Sequence, residues 1–199
     1  NGDTIGDVDE TTNATVRSNV GESGLKTQIA NMRLAGNRKA SNYNITYADG
    51  GFDITKRDLY IQAGDKSRAY GAANSLAHYV NGTSRINVRQ TDATTGLVNG
   101  DAISAITETI DPTATVTTDA GTAGLWTKAS AAQFSHGTDA NYNIHYADGT
   151  FTITKRPLTL LAGDKSRIYG TANATAGYVN GTGLFRVKTG NLVNGDAIS

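Results

Sequence analysis

Two copies of the word Asp-Lys-Ser-Arg, at residues 65–68 and 164–167, hold the densest group of charged and nucleophilic side chains in the chain. A serine beside a lysine has the composition of a Ser-Lys nucleophile pair, but that chemistry needs a buried, deprotonated lysine and an oxyanion hole. Here an aspartate precedes each lysine, and each word runs into a Tyr-Gly turn. We therefore expect a turn with surface ion pairs, which contribute little to stability, and no catalytic residue. Tyr70 and Tyr169, just after the words, are expected to pack against a sheet.

Metal-ligating side chains are few. The absence of cysteine excludes a thiolate site, and the three histidines, His78, His136 and His145, fall at non-equivalent places, as expected of solvated strand or loop positions. A calcium site needs several converging oxygen ligands. The run Asp7–Glu10 comes nearest to one, yet its counterpart at residues 105–108 lacks the aspartates. We expect no metal and no cofactor.

The tyrosines are the remaining candidates for a binding site, because an array of aromatic side chains can hold a carbohydrate. Eight of the nine tyrosines recur in pairs about 99 residues apart, as core residues would. Tyr60 has no such partner, so it is our one candidate for an exposed, ligand-binding aromatic.

The overall composition excludes several classes of protein. The chain has 199 residues, with 18 Lys and Arg against 18 Asp and Glu, and 38% hydrophobic residues. It is therefore neither a strongly charged disordered tail nor a basic nucleic-acid binder. No run of 18 apolar residues predicts a membrane span. The first residues lack the pattern of a signal peptide, so for an exported protein we expect the sequence to be a mature fragment.

The positions of these residues follow from an internal repeat. Residues 42–82 and 141–181 are identical at 29 of 41 positions, and a shorter Asn-Gly-Asp word occurs at residues 1–3, 99–101 and 194–196. The period of about 98 residues is too long for a solenoid unit. It is typical of small domains in tandem.

Within one period the residue types favour β-strands. Tyr43, Ile45 and Tyr47 alternate with polar residues, and Phe52 and Ile54 resume the alternation after an Asp-Gly pair. Two such runs around Asp-Gly predict a β-hairpin, and residues 142–146 with 151–154 repeat it. Short strands are also predicted at 59–61, 113–118, 125–134 and 158–160, with a helix as the alternative for 125–134. The fold class is mostly β.

Two positions are open for the boundary between repeats. One is the Asn-Gly-Asp word, and the other lies after Lys56 and Lys155, where Pro157 holds the preceding residue extended. The second divides the chain into a half repeat at 1–56, a complete module at 57–155 and a half repeat at 156–199. The halves hold 56 and 44 residues, close to one period. They are predicted to complete one another, within one chain or head-to-tail between chains, unless the first boundary holds and the chain has two ordinary domains.

The repeated words resemble the MBG/YDG tandem repeats of bacterial surface adhesins of the filamentous-haemagglutinin type. The words of the second copy are residues 141–144, 146–150, 153–158, 164–170 and 192–196, and those of the first are 42–47, 49–50, 65–71 and 97–101. In that family a unit runs from just before the Tyr-Gly word to the Ile-Thr-Lys word, which favours the boundary after Lys56 and Lys155. The resemblance implies a small β-grasp-like module, adhesion or stalk building, and no catalytic residues.

Three functions agree with these observations. The first is a structural stalk or spacer of a secreted, extracellular adhesin that extends a binding tip and supports adhesion or biofilm formation; its partners are neighbouring repeats. The second is a module that binds glycans or host proteins weakly, with avidity from many copies. The third is a head-to-tail homopolymer, a surface filament. We expect no enzyme, no nucleic-acid partner and no membrane span.

Overall fold

The protein is mostly β, as predicted. A computed structural model describes residues 2–36, 38–75, 86–89, 92–173 and 185–198, and 43% of this part of the chain lies in strands. The strands are β1 Ile5–Thr12, β2 Lys26–Leu34, β3 Gly50–Gly51, β4 Arg57–Ala63, β5 Lys66–Ala69, β6 Ile86–Arg89, β7 Ala102–Ile110, β8 Trp126–His136, β9 Tyr142–Ala147, β10 Gly149–Thr154, β11 Thr159–Ala162 and β12 Phe185–Thr189. Two 3₁₀ turns, Ala40–Asn42 and Asp139–Asn141, precede the two Asn-Tyr-Asn words. In the described ranges, no helix has the length and apolarity of a membrane span.

Four sheets are formed by the described strands. Their strand orders are β1-β2-β3, β6-β4-β9, β5-β10-β8-β7 and β11-β12. The chain makes two compact units: the first is Asn1–Ile61, Val88–Ile106 and Ala131–His145, and the second is Gln62–Asn87, Thr107–Ser130 and Tyr146–Ser199. Strands β4, β6, β7, β8 and β9 contribute residues to both units.

In the described ranges the buried apolar side chains lie between residues 57 and 155, most of them in strands. Leu59 and Ile61 of β4 are 0% and 1% exposed. In β10 the alternation is regular, since Phe151 and Ile153 are buried while Thr152 and Thr154 are exposed. With Ala114 and Leu125, these two residues form the core of the second unit.

The predicted hairpin is wrong, although both of its strands exist in the second copy. β9 pairs with β4, whereas β10 pairs with β5 in parallel and with β8 in antiparallel orientation. The glycine of the Asp-Gly pair serves close packing instead of a tight turn. A Cβ on Gly149 would lie 2.5 Å from the Ala63 carbonyl oxygen and 2.8 Å from that of Gly64.

Two further strand predictions have different outcomes. Of the predicted strand 125–134, residues 126–134 lie within β8, in which Ala131 takes a φ of 50°. Residues 113–118 are not a strand but a series of turns. The backbone there is hydrogen-bonded by nearby side chains and not by a neighbouring strand. The Asp111 side chain accepts from the Thr113 backbone N–H at 2.9 Å, and the Thr118 hydroxyl donates to the Thr113 carbonyl at 3.0 Å. Such local bonds compete with sheet pairing.

The same words form less structure in the flanking segments. Residues 43–49 and 165–168 are not in strands, although their counterparts are β9 and β5. Both strands need a partner from the other half of a repeat.

Candidate functional site

The Asn-Gly-Asp word forms the same tight turn at both described complete copies. Asn99 and Gly100 have φ angles of 58° and 84°, and Asn194 and Gly195 have 55° and 81°. Two successive positive φ angles are the signature of a type I′ turn, which asparagine followed by glycine adopts readily. The turn closes when Asp101 N–H donates to the Val98 carbonyl at 2.8 Å, and Asp196 N–H to that of Val193 at 2.9 Å.

Each turn uses its asparagine amide to hold a distant segment. Asn99 Nδ2 donates to the Val16 carbonyl at 2.7 Å, and Asn194 Nδ2 donates to the Val116 carbonyl at 2.9 Å. Val16 and Val116 end the same Ala-Thr-Val triplet. The two copies of the word therefore make the same long-range hydrogen bond, once in each compact unit.

We name these two contacts the first and the second junction. In the first junction, Asn141 strengthens the contact by accepting from Val20 N–H at 2.9 Å and donating to Asn19 Oδ1 at 2.8 Å. In the second, the Val193 side chain lies so close to Gly71 that a Cβ there would be 2.3 Å from it. An open groove of about 570 Å³ beside it is lined by Tyr70, Leu158 and Leu192, among other residues.

The aspartate of the word binds a tyrosine hydroxyl. Tyr142 donates to Asp101 at 2.7 Å and accepts from Val98 N–H at 3.2 Å, while its ring stacks on Phe134. Burial, and then the bond to Asp101, raise the pKa of Tyr142 to about 12. In the first copy Tyr43 donates to Asp3 at 2.6 Å in the same way. The word thus fixes the start of the Asn-Tyr-Asn segment as well as the junction.

An arginine after each Ile-Thr-Lys word holds the segment that leads into the turn. Arg57 Nε donates to the Gly96 carbonyl at 2.9 Å, and Arg156 Nε donates to the Asn191 carbonyl at 3.2 Å. Gly96 and Asn191 both stand immediately before Leu-Val-Asn-Gly-Asp. These arginines and the asparagines Asn99 and Asn194 were missed as functional residues by the sequence analysis, although the repetition of their words was a sufficient signal.

The prediction for the Asp-Lys-Ser-Arg word is wrong in its first copy. Residues 66–69 are strand β5, and Lys66 forms an ion pair of 3.0 Å with Glu108, a side chain only 2% exposed. Arg68 is also buried and donates to the Thr115 carbonyl. Because β5 pairs with β10, the side chains of Lys66 and Arg68 are buried. The four residues of the word do not by themselves indicate this pairing. Ser67 is an exposed residue of β5.

The tyrosine predictions are confirmed only in part. Tyr70 packs against the core of the second unit, but Tyr169 is 100% exposed. Tyr142 is a core residue, whereas Tyr47 and Tyr146 are both exposed at the surface. Tyr79 and Tyr178 lie outside the described residues.

Tyr60, the candidate ligand-binding aromatic, lies at the surface of β4 and is 37% exposed. One face of its ring is covered by the His145 ring, with centroids 4.7 Å apart. His145 Nε2 lies 2.9 Å from Asp58 Oδ1, and this hydrogen bond lowers the pKa of Asp58. His145 and His136 are exposed strand residues, as predicted, and His78 lies outside the described residues. This surface cluster of Asp58, Tyr60 and His145 is separate from the Asn-Gly-Asp turn.

The acidic run Asp7–Glu10 is engaged with an arginine. Arg33 Nη2 lies 2.6 Å from Asp7 and 2.5 Å from Asp9. Its hydrogen bonds lower the pKa of both carboxyl groups. Across the described ranges, no three His, Cys, Asp or Glu side chains gather closely enough to hold a metal ion.

Comparison with known proteins identifies the central part of the chain. Residues 59–152 match the family model of the MBG domain (YGX type). This segment is an MBG domain, and the resemblance found in the repeated words is confirmed for it. MBG domains occur as repeat modules in surface proteins. No curated protein and no solved structure matches the chain.

Proposed function

We propose that the chain is a structural repeat, a stalk or spacer, of a secreted bacterial surface adhesin. In this function it extends a binding tip from the cell and so supports adhesion and biofilm formation. Each module, of which residues 57–155 are one, is a small β-grasp-like unit whose partners are the neighbouring repeats. The MBG match to residues 59–152 supports this proposal.

The observation that carries the proposal is the recurrence of one junction at two places. With module boundaries after Lys56 and Lys155, Val16 and Asn99 belong to successive repeats, and so do Val116 and Asn194. Each junction adds side-chain hydrogen bonds to the covalent linker. A linker held by these hydrogen bonds keeps the orientation of one repeat fixed relative to the next, as a stalk requires. A flexible linker would let the repeats fold back on one another.

Pulsed electron–electron resonance across the first junction tests the stiffness that a stalk needs. The chain has no cysteine, so spin labels can be attached at Ser23→Cys and His136→Cys, two exposed positions of the first unit. We expect one narrow distance distribution. Asn99→Asp keeps the side-chain shape and the tolerance for positive φ but removes the donor to Val16, so it should broaden the distribution.

Asn44→Asp makes the same chemical change at an exposed asparagine outside the junction, and it should leave the distribution narrow. A wild-type distribution as broad as that of a flexible linker would contradict the stalk proposal. Equal broadening by Asn99→Asp and Asn44→Asp would show that charge, and not the lost hydrogen bond, is responsible, and it would contradict the assigned role of Asn99.

A further inference from the structure

Four side chains on the outer face of the sheet that contains β4 and β9 form one group, the β4–β9 cluster. Its members are Asp58, Tyr60, Asn143 and His145. Asp58 and Tyr60 alternate with buried residues in β4, and Asn143 and His145 are exposed residues on one face of β9. Because β4 and β9 are neighbours in the sheet, the two pairs of side chains lie together at the surface of the central module.

Hydrogen bonds and ring stacking hold the β4–β9 cluster in one arrangement. Asn143 Nδ2 donates to Asp58 Oδ1 at 2.9 Å, and His145 Nε2 lies 2.9 Å from the same oxygen. The Tyr60 and His145 rings stack with their centroids 4.7 Å apart and an angle of 17° between their planes. Side chains that are already held in this way lose little conformational entropy when a ligand binds.

These contacts leave several polar groups of the cluster available to a ligand. Both contacts to Asp58 use Oδ1, so within the described ranges Asp58 Oδ2, Asn143 Oδ1 and the Tyr60 hydroxyl have no hydrogen-bond partner in the protein. The first two are acceptors, and the hydroxyl can accept or donate. Among the described residues no second aromatic ring stacks on Tyr60, which is 37% exposed.

The cluster is not part of the pattern that the repeats share. Asp58, Tyr60 and His145 stand at positions where the two copies differ. The residues at the equivalent positions are Pro157, Thr159 and Thr46. The buried position between Asp58 and Tyr60 is leucine in both copies. The shared fold therefore does not require the three residues that make this cluster.

We propose that the β4–β9 cluster binds a neutral sugar ring. The open face of the Tyr60 ring carries negative quadrupole charge and stacks on the weakly positive C–H face of the sugar. Asp58 Oδ2 and Asn143 Oδ1 accept hydrogen bonds from its hydroxyl groups, and a ring with several hydroxyls supplies the donors that such acceptors need. The inference goes beyond the proposed function, because it concerns the surface of one module and not the contact between repeats.

The charge and the number of ligand atoms argue against two other occupants. The carboxylate of Asp58 repels an acidic sugar. Calcium takes about six to eight oxygen ligands, and the cluster offers far fewer. A neutral sugar fits both the charge and the free acceptors.

Nuclear magnetic resonance titration of the labelled chain with the methyl glycosides of glucose, galactose and mannose tests the site. We expect saturable shifts of the Tyr60 and His145 ring signals with at least one of them. The dissociation constant should be on the order of 1 mM, because one ring and two acceptors bury little surface. The uronic acid of the sugar that binds, which differs by one carboxylate, should bind at least about threefold more weakly.

Two variants carry the residues of the other copy and so suit the fold. Tyr60→Thr removes the stacking surface and His145→Thr removes the ring that holds it, so each should weaken binding by about tenfold or more. Tyr169→Thr changes a fully exposed tyrosine outside the cluster and should bind as the wild type does. Absence of saturable shifts with all three glycosides would overturn the proposal. Unchanged binding by Tyr60→Thr, or a uronic acid bound as tightly as its neutral parent, would also overturn it.

Discussion

Tyr142 shows how one side chain connects the turn, the core and the sheet. It lies in β9, its ring is buried against Phe134, and its hydroxyl bonds both Asp101 and the Val98 backbone. Asparagine and glycine explain why the Val-Asn-Gly-Asp segment turns. The hydroxyl of Tyr142 explains why the turn stays at this point of the module.

The raised pKa of Tyr142 predicts a loss of stability at high pH. The ordinary pKa of tyrosine is 10.0, and burial with the bond to Asp101 raises it to about 12 in the folded chain. A raised pKa contributes stability that is complete below pH 10 and disappears as pH rises towards 12, because the unfolded chain releases the proton first. Urea unfolding from pH 8 to 12 should therefore show a midpoint that falls above pH 10.

Tyr142→Phe supplies the control for this pH dependence. It should cost roughly 1–3 kcal/mol at pH 8, since two half-buried partners lose a hydrogen bond, and its fall above pH 10 should be shallower than that of the wild type. Parallel pH curves for the two proteins would contradict the role given to the hydroxyl.

At the scale of elements, the module depends on close approach between strands. The carbonyl oxygens of Ala63 and Gly64 and the Thr127 hydroxyl occupy the space where Gly149 would carry a Cβ. Gly149→Ala should therefore destabilise the module by roughly 1–3 kcal/mol, as overpacking does. The measurement is the urea midpoint, followed by tryptophan fluorescence, because Trp126 pairs with Thr150 beside the site.

The first copy offers a matched control, because Gly50 is the counterpart of Gly149. Among the described residues, a Cβ on Gly50 would meet only the Thr27 side chain within 4 Å, and a side chain can rotate away. Gly50→Ala should cost clearly less than Gly149→Ala. An equal cost would contradict the assignment of the Gly149→Ala cost to crowding against backbone atoms.

The sequence predicts strands better than it predicts their partners. Alternation places Phe151 and Ile153 on one buried face, and this is confirmed. It contains no information on which strand lies alongside, so the local Asp-Gly signal suggested a hairpin where β9 and β10 in fact join different sheets. The buried charges of Lys66 and Glu108 escaped prediction for the same reason, since their burial follows from a pairing between residues 42 positions apart in the sequence.

At the scale of the molecule, repetition itself was the strongest functional signal. The recurring Asn-Gly-Asp word supplies the hydrogen bonds of the first and second junctions, and the arginine of the recurring Lys-Arg word holds the segment that leads into each turn. The sequence indicated that these words matter. It did not indicate that Asn99 reaches Val16, because the two residues are far apart along the chain and each lies in an ordinary turn.

The central claim is that the two junctions are the same structure, and nuclear magnetic resonance of the side-chain amides tests it most directly. Nuclear Overhauser contacts are expected from the Asn99 amide to Val16 and from the Asn194 amide to Val116. Finding both sets, with similar intensities, would establish one junction used twice. Amides of Asn99 and Asn194 that contact only their sequence neighbours would contradict the account.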